Sequence, residues 1–411
     1  TDDLIAARND VMTRIQEEGT VLLKNENKAL PLASSPKVTL FGMTSYDPVY
    51  GGTVGSSTPA KQALSFKECF EDAGIEVNPT MYDRMALAPT WFGFTGAEMQ
   101  ANTIRTGEVP LSEYTDTQRD SYSDYNDAAI VVIGRQGSEA DDFGTSTDNV
   151  TDGDGTHLVL ALQDVERDMI KEAEDNFDKV IVLINSDNPM EIEELKDDEN
   201  IDGILWIGEP GTVGLKGVAS VLTGEANPSG HLSDTYAVSS VSSPAMVNFG
   251  SYTYTNATDS NFGAANYSGS NYLVESEGIY TGYKYYETRY EDTILGEGNA
   301  DSQAGASNGN NSWDYDDEVS YSFGYGLSYT TFEQKIKDFD YSGDNVKVTV
   351  EVKNTGDTAG KDVVQLYAQT PYTDYDKENK VEKSSVQLIG FEKTSEIEPG
   401  KTETVEVEAP K

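Results

Sequence analysis

At 411 residues the chain is long enough for two or three domains with their own cores, which excludes a small disulfide-stapled scaffold. Its 29 basic residues stand against 72 acidic ones, a net charge of -43, and such a field argues against nucleic acid and anionic membrane as partners. A hydrophobic fraction of 37% with 24 Tyr excludes a disordered acidic chain.

Inventory narrows the chemistry further. Cys69 is the single cysteine, and His157 and His231 are the two histidines. Intramolecular disulfides and thiolate metal cages are thereby excluded, and His/Cys zinc sites and Ser-His-Asp triads become poor expectations. No apolar run is long enough to span a bilayer, and the opening TDDLIAARND lacks the basic-then-apolar layout of a secretory leader. The chain reads as soluble.

In chain order, Leu4 to Glu18 has apolar residues near helical spacing, with Gly19 as a stop. Strands are expected at Val38 to Phe41, Ala129 to Ile133, Val180 to Ile184 and Ile204 to Ile207. Each is short and nearly continuous in apolar residues, as in a parallel sheet buried on both faces. Helices are expected between them, at Pro59 to Ala73 and Leu160 to Asp175, so an α/β sheet with helices on both sides follows for residues 1 to about 237. From 238 to 325 the text becomes rich in Ser, Asn and Tyr, an insertion and linker whose tyrosines are expected to pack down in part. Residues 326 to 411 turn all-β, with VKVTVEVKNTGDTAGKDVVQLYAQT and a later pair of alternating runs forming a small sandwich.

In an open α/β sheet the binding crevice lies at the carboxyl ends of the strands, so the loops there carry the chemistry. GMTSYDPVYGGTVGSS (42–57) is glycine-rich but lacks G-x-G-x-x-G, and the negative field disfavours a phosphate. AIVVIGRQGSEADDFGTSTDNVTDGDG (129–155) delivers Arg135, Glu139, Asp141 and Asp142 into one loop. Clustered carboxylates beside an arginine suit acid/base work on a neutral, hydroxyl-rich substrate, because like charges raise one pKa while the cation steadies another. A solvated acidic loop or an adventitious calcium site is the alternative, and the fragment at 152–155 is too short for an EF-hand. INSDNPMEI (184–192) and WIGEPGTVG (206–214) are the remaining loops; Trp206 either stacks on a sugar or belongs to the core. His157 and His231 read as ordinary polar residues.

EEGTVLLKNENKALPL (17–32), YGGTVGS (50–56), IGRQGSEADD (133–142), ILWIGEPGTVG (204–214), VLTGEANPSGHLSDTY (221–236), IYTGYKYYET (279–288) and FGYGLSYTTF (323–332) together resemble the family-3 glycoside hydrolases, which include β-glucosidases, β-xylosidases and β-N-acetylglucosaminidases. The motifs span nearly the whole chain in the family's order. The resemblance implies an open, mostly parallel α/β sandwich domain followed by a fibronectin-III-like sandwich, without the family's (β/α)8 barrel.

That barrel carries the family's nucleophilic aspartate, commonly in an S-D-[WFY] setting; Ser233-Asp234-Thr235 belongs to the sandwich motif and is not its counterpart. Retaining hydrolysis needs two carboxyl groups about 5–5.5 Å apart across the scissile bond, so one of them is expected outside this chain. By resemblance, Glu139 in Gly137-Ser138-Glu139 is the acid/base, with Ala140 where a glycine is common and Asp141 and Asp142 as nearby fallbacks. Arg135, Asp141, Asp142 and Trp206 are the expected substrate contacts. Some bacterial members place the barrel last, so the expectation is half of an exo-acting β-glycosidase, most simply a β-glucosidase, whose barrel follows Lys411 or arrives as a separate chain. The Tyr-rich insertion then packs on the barrel or rims the aglycone site. The competing reading is a non-catalytic carbohydrate-binding or scaffold protein that kept the fold. No cofactor, metal, nucleic acid or membrane is expected, a homo-oligomer stays open, and the acidic Ser/Thr/Asn-rich surface suits an exported or cell-associated bacterial enzyme.

Overall fold

Runs of β-branched residues with no polar alternation build the first sheet of the computed structural model, which describes residues 2–52, 58, 60–87, 103–137, 143–250, 252–255, 271–296 and 313–411. Its strands are β1 (Val21–Asn25), β2 (Lys37–Phe41), β3 (Glu76–Val77), β4 (Ala128–Arg135), β5 (Val180–Ser186) and β6 (Gly203–Trp206), in the spatial order β1-β6-β5-β4-β2-β3. Neighbours are parallel, except that β1 runs antiparallel to β6 at one edge. Every residue of β4 and β5 is buried, which explains why their sequences stay apolar through both faces. The four strands expected from composition are β2, β4, β5 and β6. β1 and β3 carried too little signal: VLLKN ends half-exposed, and β3 is two residues long.

Helices cover the sheet. The one expected over 4–18 forms at Asp2–Gly19, and the one expected over 160–175 forms at Asp164–Asn176. The helix expected over 59–73 is split into a 3-10 turn, Ala60–Gln62, and a helix Phe66–Asp72. Ser65 fixes that later start: its hydroxyl accepts from the Glu68 N–H while the Glu68 carboxylate accepts from the Ser65 N–H, a capping box that satisfies two orphan donors. Phe66 and Phe70 then pack edge to face beneath the sheet, with ring centroids 5.5 Å apart.

Two compact units follow from the contacts: Thr1–Ser233 with Ser322–Leu366 and Ile389–Lys411, and Asp234–Tyr321 with Tyr367–Leu388. In the second unit β7 (Tyr236–Ala237) pairs antiparallel with β10 (Val319–Tyr321), and β8 (Tyr252–Thr253) with β9 (Asn271–Tyr272). Its core is aromatic: Tyr280, Tyr285, Tyr286 and Trp313 pack with Val319. The buried Arg289 guanidinium lies 5.1 Å from the Trp313 ring centroid and donates to the Tyr285 hydroxyl.

The all-β sandwich has β11 (Phe332–Asp340), β12 (Asn345–Asn354) and β15 (Thr402–Pro410) as one antiparallel sheet and β13 (Val363–Gln369) with β14 (Val386–Lys393) as the other. Val348, Val350 and Val352 alternate inward to meet Val364, Ile397, Val405 and Val407. Within the first unit Asn227 ties this sandwich to the α/β sheet: its amide donates to the Ala359 carbonyl and its side-chain oxygen accepts from Ser328 and the Tyr329 N–H. Glu18 adds ion pairs to Lys361 at 2.7 Å and Lys393 at 3.3 Å. The architecture is thus a mostly parallel α/β domain followed by an all-β sandwich. Among the described residues no helix is long and apolar enough to cross a membrane.

Gly217 marks the closest helix crossing, where a Cβ would meet the Thr13 carbonyl oxygen at 2.6 Å and the Gln16 Cβ at 2.8 Å. Gly217→Ala is expected to cost about 1–3 kcal/mol through overpacking, although alanine is the better helix former. A lowered thermal midpoint checks this; an unchanged or raised one means that the Asp2–Gly19 helix does not dock as described.

Candidate functional site at the carboxyl ends of the parallel strands

β2, β4, β5 and β6 end on one side of the sheet, and polar side chains there tie their loops together. After β2, Gly42 turns the chain with φ 97°, and a Cβ at this position would lie 2.2 Å from the Val132 carbonyl oxygen, so only glycine fits. Asn185, fully buried at the end of β5, accepts from the Val49 N–H at 2.7 Å and donates to the carbonyls of Val49 and Gly208 at 2.9 and 2.7 Å. One amide thus locks the loops that follow β2 and β6 onto β5. The Gly211 N–H adds a bond to the Tyr50 carbonyl.

Arg135, the last residue of β4, is fully buried. Its two terminal nitrogens make a fork onto the buried Glu166 carboxylate at 2.6 and 2.7 Å, and the remaining N–H groups donate to the carbonyls of Val159, Gly134 and Ala161. All five donors are spent inside the fold. The substrate contact expected of Arg135 is therefore corrected: it anchors the end of β4 to the 158–163 segment and to the helix Asp164–Asn176.

Glu108 lies close by, with both carboxyl oxygens accepting from the Met43 N–H at 2.8 and 3.0 Å. Burial, reinforced by the Glu166 charge and opposed by the Met43 N–H and Arg135, pushes its carboxyl up to about 8.

Beyond Arg135 the chain reaches Gly137, where a Cβ would lie 2.8 Å from the Asn188 amide nitrogen and 3.1 Å from the Asp187 carboxylate. Glu139, Asp141 and Asp142 lie outside the described residues, as do Ser138 and Ala140. The described chain resumes at Phe143, which packs on Ile104, Val150 and Val159. Trp206 is partly exposed at the end of β6; its indole N–H donates to the Ser186 carbonyl at 2.7 Å, and Gly208 turns against its ring, where a Cβ would lie 3.0 Å from Cζ2.

Three carboxyl groups line this end of the sheet: Asp47 and Glu209 are half-buried, and Asp187 is exposed at the rim. Burial raises Asp47 and Asp187 above the usual carboxylate range. Glu209 goes up to about 7 through burial and the Asp187 charge, against the Gly52 N–H that it accepts from, and its Oε1 is buried without a partner. Near neutral pH this carboxyl both donates and accepts, as suits a hydroxyl-rich ligand. Sequence reasoning named the loops that hold Asp187 and Glu209 but not these residues; their place at the strand ends was the available signal.

The histidines stand apart from this crevice. His157 with Asp154 and Asp164 brings three ligand atoms within 4.8 Å of one another. The Asp154 oxygens, however, accept from the N–H groups of Thr156, His157 and Asp164 and from the Thr156 hydroxyl, which holds its carboxyl well below the usual range. Arg167 approaches the His157 Nδ1 at 3.1 Å, so a cation competes for that position. The cluster fastens the turn ahead of the helix Asp164–Asn176. His231 is half-buried, and burial lowers its imidazole pKa.

Comparison with known proteins places these features in a family. Residues 20–329 match the glycosyl hydrolase family 3 C-terminal domain and residues 362–411 the fibronectin type III-like domain. A β-glucosidase of Ruminococcus albus is 28% identical over 96% of this chain and 35% of its own length. The solved β-glucosidase of Paenibacillus barengoltzii superposes with a TM-score of 0.74 at 27% identity, over 98% of this chain and 38% of that one. β-Glucosidase 3B of Thermotoga neapolitana, solved with glucose, gives 0.72 at 27% identity, over 99% and 49%. The chain spans about a third to a half of the length of these relatives.

Two predictions test the geometry. Arg135→Met strands the buried Glu166 carboxylate and is expected to cost about 3–5 kcal/mol in thermal or denaturant unfolding, with Arg135→Met/Glu166→Met recovering most of the loss. The folded Glu108 carboxyl holds its proton to about pH 8, whereas the unfolded one ionises in the ordinary range. Its contribution is thus complete at low pH and is lost as the pH rises towards about 8. Melting midpoints between pH 5 and 8 should fall more for the wild type than for Glu108→Gln; equal slopes would show that Glu108 is ionised in the fold.

Proposed function

From a chain that belongs to glycosyl hydrolase family 3 through that family's C-terminal domain, we propose the acid/base side of a retaining, exo-acting β-glucosidase, with the nucleophilic aspartate on a barrel outside these 411 residues. The observation that carries this reading is Gly137 itself, set against Asp187 and Asn188 two residues past the carboxyl end of a rigid buried strand and two residues ahead of Glu139 in sequence. Glu139 protonates the glycosidic oxygen as the bond to the anomeric carbon breaks and the barrel aspartate attacks. The same group, now a carboxylate, takes a proton from the water that hydrolyses the glycosyl-enzyme.

The surroundings support a neutral sugar as substrate. Asp187 and Glu209, raised by burial, are placed for hydroxyl contacts, and the Trp206 ring for stacking on a sugar face. Asp141 and Asp142, close to Glu139 in sequence, add further hydroxyl contacts. Arg135 acts at one remove, by holding the end of the strand that precedes Glu139 in sequence. More than half the length of the compared relatives lies outside the matched part, which is room for a barrel of about 250 residues. The acidic surface is that of an exported or cell-associated bacterial enzyme.

The test is Glu139→Gln in the barrel-bearing form of the enzyme. Turnover of an alkyl β-glucoside, whose leaving group needs a proton, should fall by about 10²–10⁴-fold. A dinitrophenyl β-glucoside should lose far less in glycosylation, and added azide should restore turnover by replacing the water that needs a base. Unchanged turnover on both substrates would remove Glu139 from the mechanism. Glucoside binding without any hydrolysis by the wild type would favour the non-catalytic carbohydrate-binding reading.

A further inference from the structure

The Asp2–Gly19 helix is covered along one side only. Asn9, Met12, Thr13, Gln16 and Glu17 form the covered side. They meet the start of the Leu215–Thr223 helix, where Thr13, Gln16 and Glu17 stand over Gly217 and the Met12 methyl reaches Gly211. With 3.6 residues per turn, the opposite side carries Leu4, Ala7, Val11 and Ile15 in one row. Leu4, Val11 and Ile15 are exposed by 75%, 45% and 66%, and Ala7 is exposed with them. Helix formation alone does not call for this row, since alanine or charged residues serve it as well. Apolar residues three and four apart are the pattern by which helices pair.

The charges beside the row are arranged too. Asp3 and Arg14 lie on one flank, both exposed, and neither has a hydrogen-bond or ion-pair partner among the described residues. In a chain with 72 acidic residues against 29 basic ones, an arginine left unpaired beside an apolar row is a group that lacks its carboxylate. Arg8, on the other flank, donates to the Asn9 side-chain oxygen at 2.8 and 3.1 Å and so turns away from the row. Residues 2–8 are all exposed, which leaves room for a second helix alongside.

We propose that this face pairs with the same face of a second copy of the chain, the two helices lying antiparallel about a twofold axis between Arg8 and Asn9. The rows then interlock: Leu4 enters the gap between the partner's Val11 and the partner's Ile15, and Ala7, the smallest member, lies at the crossing where the backbones come closest. On the flank Asp3 stands level with the partner's Arg14, twice by symmetry. The antiparallel sense also sets the amino end of each helix beside the carboxyl end of the other, so the macrodipoles attract. Polypeptide outside these 411 residues is the other candidate occupant. The second copy is favoured because the face is its own complement in apolar order and in charge, which a twofold contact requires and a contact with a different surface does not. One helix of 18 residues covers less than a standard interface, so the dissociation constant is expected at about 1–100 µM.

Sedimentation of the 411-residue chain from about 1 to 300 µM, spanning that constant, should show a monomer–dimer equilibrium. Leu4→Asp/Ile15→Asp should leave it monomeric throughout with an unchanged far-ultraviolet circular dichroism spectrum, because neither side chain is packed in the single chain. Asp3→Arg and Arg14→Asp should each weaken the dimer by about tenfold through two like-charge contacts, and Asp3→Arg/Arg14→Asp in one chain should restore it. A chain that stays monomeric at the highest concentration, a dimer that survives the apolar double substitution, or a charge exchange that fails to restore affinity would overturn the proposal. Cys69 is buried, so Val11→Cys reports on the face by maleimide labelling. A barrel-bearing form that is monomeric and shields this cysteine would also overturn the proposal, by assigning the face to the barrel. None of these readouts depends on catalysis, so failure here and failure of the glycosidase reading are separable.

Discussion

The buried Arg135–Glu166 fork is the interaction on which the candidate site depends. A guanidinium with all five N–H groups satisfied inside the protein is a rigid joint, and this one stands at the last residue of a strand with no exposed position. It joins β4 to the Val159–Ala161 carbonyls and to Glu166 on the following helix. Two residues later the chain reaches Gly137 at the Asp187–Asn188 turn. Asn185 does the same work one strand over, joining the loops after β2 and β6. Both devices lie behind the crevice, so they set where its loops begin without occupying the space that a ligand needs.

Charge works differently at the two scales of this molecule. The net charge of -43 belongs to the molecule as a whole and disfavours polyanionic partners. Inside, cations are committed to single anions: Arg135 to Glu166, and Lys361 and Lys393 to Glu18. The carboxyls at the strand ends have no such partner. Burial raises both Asp187 and Glu209, and the Asp187 charge raises Glu209 further, leaving groups that bind hydroxyls well and phosphates poorly. The chemistry proposed for Glu139 asks for such a setting, because a general acid has to hold its proton near the working pH.

The second unit and the sandwich follow two further routes to a core. The Tyr-rich segment builds its core from aromatic rings around Arg289, so a composition that looks like a linker still packs. The sandwich relies on alternating valines, and alternation leaves every inward residue dependent on an opposing strand. Where β13 and β14 stand opposite, the valines are dry; where they do not, Ile336 and Phe339 meet solvent.

Periodicity and composition alone determined the central strands, the main helices and the all-β end, because burial on both faces or on one leaves a local trace in residue order. The motifs determined the family, since short functional strings survive where overall identity is low. The structure decided what local order cannot encode. Arg135 sits beside acidic residues in sequence, yet its partner is Glu166, brought to it by the helix that returns across the sheet. Asp187 and Glu209 stand in loops about twenty residues apart, and parallel strands, which all end on one side, set their charges against each other. Ile336 and Phe339 pair across β11 and β12 with the buried Val350 and Val348, yet both are exposed, which no local pattern decides. Local sequence specifies which face a side chain takes, whereas its partner is fixed by long-range packing that brings distant segments together.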